Sequence, residues 1–430
     1  MRNRRLVATL AGITTAMTLA GCGLSGAQAD DAGSEPSSSD VTGEITGDVT
    51  LQTWALKAGF SDYIEGVIAA FEEKYPGTHV NWIDQPGEGY EDKLLAQASA
   101  GELPDVTNTT PAFGFQLAKE GLLEDLTQLD DELDSTYVAG ALEGFQFAGI
   151  EGTYGYPWYL TTELNYWNTD LLTQAGLDPE SPPRDFDELL AAARTVKSAT
   201  DGQAYLMSKK PNLGDFASAG VKVINDEGTE FVFNSKDAVA LLDEYRQAYA
   251  DGLLPQDVLT DKFLGHTELF KKGAVGWTTG GGNFIAGAIA DNPSLEDKFA
   301  LSPHFGTPPL DVQGVSVPKT SKNKATAIAL ARFLTNAENQ EAFADLVPGI
   351  FPSTLSSQSD FAASDGSDIA EAKAIAFASL DDARVLEPVQ VSSAMSTIIN
   401  QEIAAAMTGQ VSSREALDTA VEKCNQMLSE

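Results

Sequence analysis

Rings, amides and hydroxyls recur in the segments that follow candidate strands, and these are the side chains best suited to do chemistry. Trp54 and Lys57 come at the end of the alternating run Val49–Trp54. Asn108, Thr109, Thr110 and Phe113 follow Pro104-Asp105-Val106. Trp158, Tyr159 and Thr161 stand close together. Asn212 and Asp215 follow Ala204-Tyr205-Leu206-Met207, and Trp277, Thr278, Gly281, Asn283 and Phe284 follow a Lys-Lys-Gly step. Amides and hydroxyls supply directional hydrogen bonds, and flat rings supply apolar faces. That is the chemistry of recognition without reaction.

Covalent chemistry has less support. The three histidines, His79, His266 and His304, are widely spaced, and no HExxH, Gly-x-Ser-x-Gly or Walker-type run occurs. Each histidine reads as a surface or core residue. Asp130-Asp131-Glu132 with Asp134 lacks the spacing of an EF-hand loop and reads as a solvated acidic turn. A glycosidase needs only two carboxylates. With 63 acids in the chain, a pair can always be found, so the signal is empty. Each ring also has a plainer use. Trp82 and Trp167 read as core, Trp54 could serve either purpose, and Trp158, Trp277 and Phe284 are assigned to ligand. The glycines at 280–282 could mark a loop needing positive φ or a close approach of backbone to ligand.

The elements that would position these groups alternate. Val49–Trp54 is a strand. Ser61 offers an N-cap to a helix carrying Ile64, Val67, Ile68, Phe71 and Tyr75 on one face, stopped by Pro76-Gly77. Val80–Ile83 is a second strand, 92–100 a helix ended by Gly101, and 104–106 the start of a third strand. Strand and helix in turn predict an α/β domain with a largely parallel sheet. Asp185-Phe186-Asp187-Glu188 is a capping box opening a helix to about Lys197. Further helices are predicted over 236–249, 325–334, 393–407 and 413–428. Cys424 shares a helical stripe with Leu417, Ala420, Val421 and Leu428 and reads as a buried thiol.

The N-terminus is organised differently. Arg2, Arg4 and Arg5 precede an apolar stretch to about Leu19, then Leu19-Ala20-Gly21-Cys22. This is the order of an export signal, too short to span a bilayer as a mature helix. The last four residues resemble a bacterial lipobox, which implies cleavage after residue 21 and lipidation of Cys22. Residues 22–47 are rich in Ser, Gly, Asp and Ala and read as a flexible tether. With Cys22 lipidated, Cys424 has no partner for a disulfide. The formal charge is −36, and loss of three leader arginines makes it more negative still. Such a surface repels phosphate backbones, so nucleic-acid binding is excluded.

The order of segments resembles the carbohydrate-uptake family of extracellular solute-binding proteins of ABC transporters, the group of maltose-binding protein. The resemblance covers nearly all of 48–430. It rests on Phe71-Glu72-Glu73-Lys74-Tyr75-Pro76-Gly77 and Ala100-Gly101-Glu102-Leu103-Pro104-Asp105-Val106. Gly121–Leu126, Tyr154-Gly155-Tyr156-Pro157, Leu164-Asn165-Tyr166-Trp167-Asn168 and Ala175-Gly176-Leu177 follow. Pro182-Pro183, Phe186–Leu189, Leu269–Trp277 and Gly314-Val315-Ser316-Val317-Pro318 complete it. Each piece is weak alone; their joint order is specific.

The resemblance implies an α/β, two-lobed periplasmic-binding-protein fold (type II) with a hinge between the lobes. Lobe 1 would comprise 48–160 plus 314–348, and lobe 2 163–308 plus 352–430. Crossings are expected near 160–163, 308–314 and 348–352. It also implies a lipid-anchored monomer at the outer face of the cell membrane, binding a sugar or oligosaccharide for ABC permease subunits, with no cofactor, metal or catalytic residue. The alternatives are a secreted glycoside-active enzyme and a binder of another polar solute, such as a glycerol-phosphate ester. An adhesin or scaffold has no repeat to support it. Ligand contacts are expected from Trp54, Lys57, Asn108, Thr109, Phe113, Trp158, Tyr159, Thr161, Asn212, Asp215, Trp277, Gly281, Asn283 and Phe284. Several depart from the family pattern. The acid beside Lys57 is missing, Thr109 falls where an aromatic can occur, Thr161 stands where maltodextrin binders can carry a carboxylate, and Asn283-Phe284 replaces a tryptophan motif.

Overall fold

One long strand organises the molecule. In the computed structural model, which describes residues 43–260, 262–347, 349–357 and 367–429, strand Tyr156–Asn168 pairs with four others. Eight strands occur among the described residues: β1 (Gly47–Trp54), β2 (Thr78–Gln85), β3 (Val106–Thr109), β4 (Tyr156–Asn168), β5 (Trp277–Gly281), β6 (Phe299–Pro303), β7 (Leu310–Ser316) and β8 (Phe351–Pro352). Cys22, the leader and the tether to residue 42 lie outside the described residues, as does Pro348 within the third expected crossing.

The main path of the sheet runs β2-β1-β3-β7-β4-β5. Only β1 with β2 and β1 with β3 are parallel. The pairs β3–β7, β4–β5, β4–β6, β4–β7 and β4–β8 are antiparallel. The expectation of a largely parallel sheet therefore holds only for its first end; the rest is antiparallel. The reason is β4. Its first half pairs with β7, Leu160 opposite Val312, and with β8, Leu160 opposite Phe351. Its second half pairs with β5 and β6, Trp167 opposite Trp277 and Ala300. One strand thus joins two sheets, with β7 and β8 flanking it at the junction.

Three apolar clusters follow from this layout. One packs β1–β3 against the helices Lys57–Lys74, Lys324–Leu334 and Ala337–Leu346 through Val49, Leu51, Ile64, Phe71, Leu330 and Phe343. A second packs helices Phe186–Ala199, Lys236–Ala250, Ser393–Met407 and Ser413–Leu428 around Leu189, Leu242, Ile403 and Cys424. A third sits around the junction and draws Phe113 and Phe145 together with Leu160, Val312, Phe351 and Phe270.

Local chemistry explains most helix ends, and tertiary contact explains the exceptions. Ser412 and Ser235 accept from the N–H groups of Glu415 and Ala238 as N-caps. The first helix begins at Lys57, earlier than a Ser61 cap predicts, and bends at Phe60. Ser61 donates to the Lys57 carbonyl instead. The start is capped from β2: Asp84 accepts from the Leu56 and Lys57 N–H groups at 3.1 and 3.0 Å. Asp185 accepts from Glu188 N–H at 2.8 Å as predicted, but Glu188 does not close a capping box; it accepts from the Arg184 N–H and guanidinium. Asp130 is no solvated turn residue either. It is buried beside Arg332, with Nε 3.1 Å away. Cys424 is fully buried, which pushes its thiol up to about 11. No helix among the described residues is long and apolar enough to cross a membrane.

Candidate functional site

A pocket of about 260 Å³ opens beside the strands that join the two sheets. Strand β4 contributes Glu163 and β7 contributes Leu310 and Asp311. The turn after β6 brings His304, the segment before helix Leu213–Ser218 brings Lys209 and Asn212, that helix brings Asp215, and the stretch 385–387 brings Glu387. The helix is locally well specified. Asn212 Oδ1 accepts from Asp215 N–H at 3.0 Å, and Asp215 Oδ2 accepts from Asn212 N–H at 2.8 Å, a reciprocal capping box. The other Asp215 oxygen accepts from Lys209 Nζ at 2.5 Å, with both side chains only 16% exposed.

Charge in this pocket is uneven. Burial works against the Lys209 ammonium, but Asp215, by charge and hydrogen bond, and Glu163 outweigh it and hold its pKa above the ordinary value. Burial, with Lys209 nearby, lowers His266 to about 4; its Nδ1 lies 2.7 Å from Thr278 Oγ1. Burial also lowers His304, whose Nδ1 is sealed from solvent without a hydrogen-bond partner. Both imidazoles are therefore neutral at pH 7. Desolvation by the surrounding protein, then Glu163, raises Asp311, and desolvation raises Glu387. The arrangement is a polar, acidic recess with one paired cation.

A second recess of about 460 Å³ lies at the ends of β1 and β2, lined by Trp54, Gly87, Gly89, Tyr90, Glu91 and Asp92. Trp54 meets Tyr90 edge to face at 4.9 Å. The Tyr90 hydroxyl donates to the Asn108 carbonyl at 2.8 Å. Trp54 is half-buried, so part of its ring faces this recess. Lys57 is exposed and lays its ammonium over the Trp82 ring, 5.1 Å from the centroid; Trp82 is half-buried.

The structure brings together few of the residues singled out from sequence. Asn212 and Asp215 line the first recess and Trp54 the second. Asn108, Thr109 and Phe113 are fully buried: Asn108 donates to Gly314 O at 3.0 Å, Thr109 meets Ser316 Oγ at 2.8 Å, and Phe113 is core. Trp158 is fully buried and stacks on Phe343 at 5.5 Å, with Tyr159 half-buried edge-on to both. Trp277 is 4% exposed, stacks on Phe305 at 5.8 Å, and donates from Nε1 to Asn165 Oδ1 at 2.9 Å. Phe284 packs on Tyr166 at 4.9 Å. The rings at 158, 277 and 284 therefore pack protein rather than line either recess: β4 and β5 turn the two indoles, and the start of helix Phe284–Asp291 turns Phe284, into the apolar clusters. Trp167 is buried, as its strand pattern predicts.

Thr161, Gly281 and Asn283 meet at the junction itself. Thr161 Oγ1 donates to Gly349 O at 3.0 Å. A side chain at Gly349 would collide with Asn283, and one at Gly281 would lie 3.3 Å from Thr161 Oγ1. None of Gly280, Gly281 or Gly282 has positive φ. Gly282 instead lets the backbone pass close to helix Asp368–Ala378, with Lys373 Cα 3.3 Å from where a Cβ would stand.

Glu163, Asp311, His304 and Glu387 were not singled out as site residues. One signal was present. A carboxylate expected at 161 stands two residues on, at Glu163, and residues two apart share a strand face. His304 lines the recess instead of serving only surface or core.

A mixed α/β body whose two sheets share one strand, with recesses at strand ends, defines a hinged solute-binding protein of the periplasmic-binding type. The chain belongs to the bacterial extracellular solute-binding protein family, whose model matches residues 66–376. It is 26% identical over 302 residues to the diacetylchitobiose binding protein DasA of Streptomyces coelicolor, covering 68% of this chain and 67% of that one. It is 28% identical over 311 residues to a binding protein of Brucella abortus, covering 69% and 73%. A crystal structure of an oligosaccharide periplasmic-binding protein from Synechococcus superposes with TM-score 0.78 and 28% identity, covering 89% of this chain and 99% of that one.

Proposed function

We propose that this chain is the capture component of an ABC importer, holding a sugar or short oligosaccharide in the recess beside β4 and β7 and delivering it to permease subunits in the membrane. It carries out no covalent step and acts as a monomer. Lobe 1 is 48–160 with 314–348, lobe 2 is 163–308 with 352–430, and the side-by-side β7–β4–β8 strands are the hinge. Cys22 carries the lipid that keeps the body at the outer face of the membrane.

One observation carries the substrate class: the recess at the crossing strands is walled by carboxylates, an amide and an imidazole, the acceptors and donors a polyhydroxylated ligand requires. A phosphate ester fits poorly, because the single cation in it is already paired with Asp215. DasA and the Synechococcus protein, relatives assigned to saccharides, support the same class.

A thermal-shift panel of sugars, oligosaccharides, polyols, peptides and phosphate esters tests this reading. A ligand at 100 times its Kd stabilises by about 2.7 kcal/mol. A hit among saccharides without release of cleaved product is the expected result. Silence across the carbohydrates with a hit among peptides or phosphates overturns the substrate class, and steady sugar turnover favours a glycosidase. Mass spectrometry of membrane-extracted protein, beside a Cys22→Ser variant, tests the anchor.

A further inference from the structure

We propose that the saccharide this recess prefers carries a protonated amine, an inference that rests on the sugar-binding reading above. Lys209 and Asp215 cancel, at 2.5 Å. Three carboxylates remain on the walls: Glu163 from β4, Asp311 from β7 and Glu387 from the facing stretch. Among the described residues none of the three forms an ion pair, and the recess holds no other side-chain cation. The imidazoles at 266 and 304 do not supply the missing charge, since burial keeps both neutral at pH 7. Glu163 and Asp311 line the same recess, and desolvation, then the Glu163 charge, raises the pKa of Asp311.

An uncharged sugar would leave this repulsion in place while stripping water from the carboxylates, and a phosphate would add to it. A cation relieves it. A bare metal ion does not fit, since no group of three or more His, Cys, Asp or Glu among the described residues is placed to hold one. A recess of about 260 Å³ that also holds Asn212 and His304 suits an organic cation that also bears hydroxyls. An amino sugar has both, and its ammonium placed between Glu163 and Asp311 makes charge-assisted hydrogen bonds.

Isothermal titration of the purified chain with glucosamine trimer, its N-acetylated counterpart and maltotriose decides the matter. The free-amine trimer is expected to bind at least about tenfold more tightly than either neutral trimer, a gap that narrows as salt rises. Glu163→Gln with Asp311→Asn is expected to abolish that preference while leaving a folded protein, checked by its unfolding midpoint; Glu387→Gln alone should reduce it. Equal or tighter binding of a neutral trimer to the unaltered chain overturns the inference and leaves the sugar reading standing. Failure of all three trimers and of the wider carbohydrate panel, with a hit elsewhere, overturns both.

Discussion

Two stretches of β4 do opposite work. Around Trp158 the strand is packed on both faces: the indole stacks on Phe343, and Tyr159 meets the same ring edge-on. Around Glu163 the strand faces a recess and presents a carboxylate to Lys209, His304 and Asp311. The difference shows that ring content and exposure to the recess are separate properties here. Rings near the crossing pack against protein, and charged and amide groups past it line the recess. The residue types alone pointed the other way, because a tryptophan beside a crossing suits either use.

Replacing Trp158 is the strongest way to test that contrast. Trp158→Ala should lower stability by roughly 3–5 kcal/mol, the cost of emptying a large core site, read from urea unfolding. Retention of wild-type stability would show that the indole packs nothing essential and restore it as a ligand platform. Next is the pair in the recess. Lys209→Met leaves Asp215 without its cation in a mostly buried place, and a loss of roughly 2–4 kcal/mol follows. A neutral result would mean that solvent already screens the pair.

The pH dependence sharpens the same comparison. His266 has a folded pKa of about 4 because it is buried, below the ordinary value of about 6.5. The unfolded chain therefore binds the extra proton between these values. The neutral imidazole's stability contribution is full above about pH 6.5 and is lost as pH falls towards 4, roughly 2 kcal/mol of it by pH 5. The difference between wild type and His266→Asn should carry this slope, because Asp311 and Glu387, with raised pKa values, act in the opposite direction in both proteins. A flat difference from pH 7 to 5 would place the ring in solvent. The smallest expected effect is at the junction. Thr161→Val removes the hydrogen bond to Gly349 O and should cost about 1 kcal/mol, with a change in ligand on-rate if the junction flexes during capture.

Much of the architecture was legible because it is local. The alternation over 49–54, the Asp185 cap, Gly101 at its helix end and the stripe that buries Cys424 all depend on near neighbours. The site was less legible. Asp84 caps a helix from a neighbouring strand, and Glu188 is drawn to Arg184 rather than back to its own cap. The glycines at 280–282 answer to a helix far along the chain, not to φ. Glu163, His304, Asp311 and Glu387 come from four separate segments, and no spacing joins them.

By itself the sequence determined the class of protein: short-range periodicity and caps set which segments are strands and helices, and their order set the family. Tertiary structure alone decided which side chains line the recess. A strand shows two faces whatever its sequence, and only the packing of distant segments settles which face meets core and which meets solvent. That is why Trp158 and Trp277 went inward and the carboxylates of β4 and β7 were left to line the recess.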